Sequence, residues 1–167
     1  MKQPLKKYLG LIIAGLALIT IVAAALIIGP AEAKKKTEVS KSTGPCGSYR
    51  HDAQVRINGQ TFDVEMPKNP DAFAKGLGGR PCVTASEGML FSFKQPGRYP
   101  FWMKGMKFPI DIIWIGADRK VAAIEVDEKP STYPDKFVNQ KPAQYVLEVK
   151  ANTTKQLNID IGTPVTF

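Results

Sequence analysis

From Tyr8 to Ile28 the chain reads YLGLIIAGLALITIVAAALII, without a single charge. A helix of about 20 apolar residues is what crosses roughly 30 Å of hydrocarbon, and a helix satisfies its own backbone there. A buried helix of a soluble domain would keep one polar face, and this run has none. Residues 1–30 are therefore read as an N-terminal membrane anchor or signal segment. Secretory signals have a shorter apolar core of about 7 to 15 residues, yet Ala31-Glu32-Ala33 has the small-x-small shape of a cleavage site. Length and the Lys34 to Lys36 run favour an uncleaved, single-pass transmembrane helix; the alternative is a protein secreted after cleavage near Ala33.

That segment also accounts for much of the basic charge. The formal net charge is +8, but Lys2, Lys6, Lys7, Lys34, Lys35, Lys36 and Lys41 all flank the apolar run. From Tyr49 onward Lys plus Arg number 16 and Asp plus Glu 13, leaving +3. With no Arg-rich helix and no zinc-finger spacing, this pattern excludes a nucleic-acid footprint. Flanking lysines nearly balance across the run, so they do not orient it. The cysteines do: Cys46 and Cys82 are the only two, and an even pair behind an export-type N-terminus implies a disulfide in an oxidising compartment. The folded domain then lies on the extracytoplasmic side of the cell membrane. Two reduced, buried thiols are the alternative.

Residues 31–47, rich in Lys, Ser and Thr, read as a polar tether, and residues 48–167 as one domain. Within it, Val55 and Ile57, then Phe62, Val64 and Met66, alternate with polar residues around Asn58-Gly59, which predicts a β-hairpin. Asn69-Pro70-Asp71 predicts a short capped helix stopped by Gly76. Further strands are expected at Met89 to Phe93, Tyr99 to Met103, Ile110 to Ile115, Val121 to Asp127, Tyr145 to Val149 and Thr163 to Phe167. Ile110 to Ile115 is apolar on both faces and hence interior. A short helix is expected near Asn152 or Thr153. Lys129 to Ala143, with Pro130, Pro134 and Pro142, is expected to be a long loop that covers one end of the domain. The fold class is all-β, with one or two short helices, in a jelly-roll-like β-sandwich or barrel-like roll.

Three segments carry a more specific message: Gly76-Leu77-Gly78-Gly79-Arg80, Glu87-Gly88-Met89-Leu90-Phe91, and Phe101-Trp102-Met103-Lys104 running into Pro109-Ile110-Asp111-Ile112-Ile113. Their order and spacing, with Val146-Leu147-Glu148, resemble domain-of-unknown-function family 192, an uncharacterised bacterial and archaeal family, over roughly Val55 to Phe167. The resemblance implies a compact β-roll, often exported or membrane-tethered, and no agreed activity. Gly105, Met106, Phe73 and Thr163 stand where that family usually has polar residues, so a ligand site built on those positions is not implied here.

Asp111 shares a strand face with Ile113 and Ile115, and a buried carboxylate needs a partner. Arg80 or Lys104 is expected to supply it, either as a structural clasp or as a small anion-binding pocket with Trp102 as a wall. Arg80, Trp102, Lys104 and Asp111 are thus the candidate ligand-binding residues; none is assigned a catalytic role. His51 is the only histidine and sits near the tether, which argues against a triad hydrolase. A two-carboxylate glycosidase using Asp111 and Glu148 is disfavoured because Glu148 falls on the polar side of its strand with Gln144 and Lys150. Met66, Met89, Met103 and Met106 are read as packing, not as a copper site, and Trp114 as core. No metal and no cofactor is expected. The expected function is a membrane-tethered binding or accessory module for a small ligand, a glycan or a membrane protein. The alternative is a glycan-binding module or carbohydrate-active enzyme, with Trp102 as its platform.

Overall fold

The computed structural model describes residues 40–167. In chain order these form β1 (Ser40–Gly44), β2 (Gly47–His51), β3 (Ala53–Ile57), β4 (Gln60–Glu65), α1 (Pro70–Lys75), β5 (Glu87–Gly97), β6 (Pro100–Phe101), β7 (Ile110–Ile115), β8 (Val121–Glu128), a 3-10 turn (Pro130–Thr132), β9 (Phe137–Val138), β10 (Ala143–Lys150), α2 (Thr153–Gln156) and β11 (Val165–Thr166). The mainly-β class with short helices holds. Seven strands make one mixed sheet in the order β11-β3-β4-β5-β10-β7-β8, with β4 and β5 parallel; β1-β2 and β6-β9 are separate ribbons. Where a sandwich or barrel-like roll was expected, this single sheet curls without closing a barrel. One bridge, Lys120 to Pro164, joins its edges. The anchor or signal segment expected at residues 1–30, and residues 31–39 of the expected tether, lie outside the described residues, among which no helix is long and apolar enough to cross a membrane.

Local signals explain the elements. Asn58 and Gly59 both take positive φ, as the β3–β4 turn requires. The Asn69 side chain accepts from the Ala72 N–H at 2.9 Å, and Pro70 opens α1. The β1–β2 hairpin begins inside the stretch expected to be tether, because its Ser and Thr carry no apolar pattern. Its anchorage is chemical: Cys46 is bonded to Cys82, and the buried Tyr49 donates its hydroxyl proton to the Gly88 carbonyl. Of the strand expected from Tyr99 to Met103, only Pro100–Phe101 pairs, with Phe137–Val138. The long loop is pinned rather than free, since buried Asn139 accepts from the Tyr99 N–H at 2.9 Å and donates to the Gly97 carbonyl at 3.1 Å.

β7 is buried along its whole length, and β10 nearly so. Both faces of the sheet therefore need cover. On one face Val55, Ile57, Phe62, Val64, Leu90, Ile113, Leu147 and Val149 form a core inside the curl; on the other Leu77, Met89, Phe91, Met103, Ile112, Trp114 and Val146 form a second. Each core holds a carboxylate. Asp111 stands opposite Val149 and points into the first, whereas Glu148 stands opposite Ile112 and belongs to the second.

Asp111 is fully buried and fully bonded. Its Oδ1 accepts from the N–H groups of Asp127 and Asn152, both at 2.9 Å, and its Oδ2 from the N–H and hydroxyl of Thr154 at 2.8 and 2.7 Å. It thus caps α2 from a neighbouring strand, where Asn152 makes no side-chain cap of its own. It also holds the β8 bulge, where Asp127 has φ of 58°. Arg80 and Lys104, expected as its partners, make no ion pair with it; the cause is side-chain alternation, which sends Asp111 to the opposite face. In Asp111→Asn the amide would point two donors at donors. Urea unfolding should show a loss of about 3 kcal/mol or more; a loss under about 1 kcal/mol would contradict this role.

Candidate functional site

The glycine-rich segment that follows α1 lies over the second core, and close approach requires its glycines. A Cβ at Gly76, whose φ is +54°, would sit 3.2 Å from Glu148 Oε2 and 3.5 Å from Phe91 Cζ. At Gly78 it would meet the carbonyl oxygens of Lys75 and Lys104 at 2.7 and 3.0 Å. The Gly79 N–H donates to the Gly105 carbonyl at 2.8 Å, tying the loop to the turn after Trp102. The glycine segment, the Trp102 segment and Glu148 thus converge at one place.

A cleft of about 360 Å³ opens there. Phe73 and Lys75 of α1, Phe91 and Phe93 of β5, Phe101 of β6, Trp102 and Glu148 contribute to its walls. The rings order one another: Phe73 lies edge-on to Phe91 and Phe93 with centroids 5.5 and 5.7 Å apart, and Phe93 stacks on Tyr99 at 3.5 Å. A second cavity of about 400 Å³ adjoins it and shares Ala74, Lys75 and Trp102, adding Lys104. Trp102 is 38% exposed, and the ammonium groups of Lys104 and Lys136 stand 5.6 and 5.5 Å from its ring centroid.

Glu148 is the unusual group of this cleft. It is 4% exposed, and the Leu77 backbone N–H donates to its carboxyl, but Oε2 has no hydrogen-bond partner. Among the described residues the other buried side-chain oxygen without a hydrogen bond, Asp52 Oδ1, has the Lys68 ammonium 3.2 Å away. Burial in this apolar setting raises the Glu148 carboxyl to about 7, against the weaker pull of the Leu77 N–H. A group of this kind exchanges a proton near neutrality and offers a ligand either a donor or an acceptor.

The expected site residues divide accordingly. Trp102 and Lys104 border the clefts, and Asp111 is on the far side of the sheet. Arg80 is committed elsewhere: it meets Glu65 at 2.6 Å, donates to the Ser48 carbonyl at 3.4 Å and lies 5.1 Å from the Tyr49 ring centroid. A clasp does reach from the glycine segment to the sheet, but its acid is Glu65 of β4, which also accepts from the Arg50 N–H at 2.9 Å. Glu148 is on the predicted side of its strand, with Gln144, yet that side is not polar because the glycine segment covers it. The pair Asp111 and Glu148 faces opposite ways, which removes the two-carboxylate geometry. Among the described residues no group of three or more His, Cys, Asp or Glu side chains is placed to hold a metal ion.

A family model for DUF192, described as an uncharacterized ACR, matches residues 53–167. The chain belongs to the DUF192 family. All three converging segments lie inside the matched stretch, so the glycine cover over Glu148 and the Trp102 wall are parts of the DUF192 domain itself. A crystal structure of a protein of unknown function from Novosphingobium aromaticivorans is 27% identical, with a TM-score of 0.68, over 77% of this chain and 93% of that one. A second, from Sinorhizobium meliloti and described as a putative transcription regulator, is 29% identical, with a TM-score of 0.63, over 68% of this chain and 91% of that one. No curated protein matches the chain.

The raised Glu148 carboxyl ties stability to pH. Between pH 4.5 and about 7 the folded DUF192 domain keeps a proton that the unfolded chain has lost, so stability falls as pH rises through that window. The loss attributable to this residue is about 3 kcal/mol, at roughly 1.4 kcal/mol per pH unit. Denaturant unfolding at pH 4 and pH 8 should show Glu148→Gln losing about 3 kcal/mol less than wild type over that interval. Identical pH dependence in the two would rule out a buried, protonated carboxyl.

Proposed function

We propose that this DUF192 protein is a membrane-tethered, extracytoplasmic binding module whose site is the aromatic cleft above Glu148. The apolar run from Tyr8 to Ile28 serves as its single-pass anchor, and the Cys46–Cys82 bridge supports an oxidising compartment. One observation carries the binding reading: a buried carboxyl, with one oxygen unpartnered, stands in the wall of a cleft lined by six aromatic side chains. Folding alone favours satisfied polar groups, as at Asp111, so an unpaired one in a cavity wall marks a place for a ligand group. The ligand lays a ring face on Phe73, Phe101 and Trp102 and places a hydroxyl against Glu148. Titration of the full chain with 4-methylphenol should then shift the Met106 methyl resonance saturably, and Glu148→Ala should weaken that binding about tenfold, the worth of one buried hydrogen bond. Absence of saturable shifts would end this reading.

A glycan is the second reading, favoured by the half-exposed Trp102 ring at the mouth. Purified cell-wall polysaccharide should retain the wild-type chain and release Trp102→Ala. Equal retention of the two proteins, or none of the wild type, would eliminate it.

A further inference from the structure

The apolar interior of the cleft does not match its rim. Lys75, in the last turn of α1, lines the cleft and the adjoining cavity alike. Lys104 and Lys136 hold their ammonium groups over the Trp102 ring from two separate segments, Lys104 from the Trp102 turn and Lys136 from the loop that leads into β9. All three lysines are exposed, and among the described residues none has a carboxylate within ion-pair distance, whereas Arg50, Lys68 and Arg80 are each paired. Asp71 is the single carboxylate lining the adjoining cavity. Two ammonium groups thus converge on one ring and a third lysine lines the same two cavities, beside a slot whose other walls include phenylalanine, tyrosine, proline, methionine and Glu148. Among the described residues, the carboxylates that line the two cavities, Asp71 and Glu148, form no ion pair with these lysines.

Resting on the cleft being a binding site, we infer that its ligand class is the amphipathic anion: a ring-bearing body that fills the aromatic slot and a carboxylate or phosphate arm that reaches Lys75, Lys104 and Lys136. The size fits, because about 360 Å³ holds one ring with a short substituent and leaves the arm at the mouth. Cation recognition, the usual use of an aromatic cage, is opposed here by the three ammonium groups. Glu148 does not oppose an anion. Its carboxyl, raised to about 7 by burial, is largely protonated below neutrality.

The test compares two probes of one shape, 3-(4-hydroxyphenyl)propionate and 3-(4-hydroxyphenyl)propan-1-ol. Each is titrated calorimetrically into the full chain in nanodiscs of zwitterionic lipid, with empty nanodiscs as the blank. At low salt the acid should bind at least about tenfold tighter than the alcohol, and the ratio should shrink toward one in 0.5 M salt, where exposed charges are screened. In the triple variant Lys75→Gln, Lys104→Gln, Lys136→Gln the acid-to-alcohol ratio should also approach one. If acid and alcohol bind equally to wild type, or the triple variant keeps the preference, the anion class is wrong while the cleft remains a binding site. If neither probe binds, the cleft reading and the inference fall together.

Discussion

Strands β7 and β10 have almost no solvent face, and the rest of the domain is arranged to meet that constraint. A strand pair buried on both sides needs an apolar layer above and below. The curl of the sheet supplies one through β3, β4 and β11; α1, the glycine segment and the Trp102 turn supply the other. Placing the second layer is the harder task, because it contains little regular structure. The disulfide, Tyr49 and the Arg80–Glu65 pair hold it against β4 and β5, while Gly76 and Gly78 let its backbone come within contact distance of the sheet.

Two buried carboxylates on adjacent strands meet different surroundings in the two layers. Asp111 has four donors around it and joins β7 to α2 and β8, which is a structural use. Glu148 has one backbone donor and a free oxygen beside a ring-lined cavity. The same residue type in the same sheet is satisfied on one face and left half-satisfied on the other. Buried polar groups that fold a protein are paired; the exception lies where the DUF192 segments meet.

Much of the fold could be read from residues alone, where the signal is local. Asn58-Gly59, the Asn69-Pro70 cap and the two-faced apolar run from Ile110 to Ile115 each specify their own backbone, and the cysteine pair is bonded as expected. The parallel pairing of β4 with β5 was not legible, since nothing local encodes which distant strand becomes a neighbour. The candidate site was legible in part. Trp102 and Lys104 stand at the cleft, but Asp111 was grouped with them because sequence order cannot show that strand alternation sends it to the other side. Glu148 is disfavoured by the sequence for the converse reason: alternation with Gln144 and Lys150 reads as a wet face. The better signal was the nearly unbroken run Tyr145 to Val149, which marks a strand covered on both sides.

The account depends on Glu148 being a protonated carboxyl within an aromatic cleft at near-neutral pH. Following its carboxyl carbon by carbon-13 NMR through a pH titration of the full chain measures that directly. The structure predicts a midpoint near 7. A midpoint close to the ordinary glutamate value of about 4.3 would show a solvated or paired carboxylate and would contradict the account.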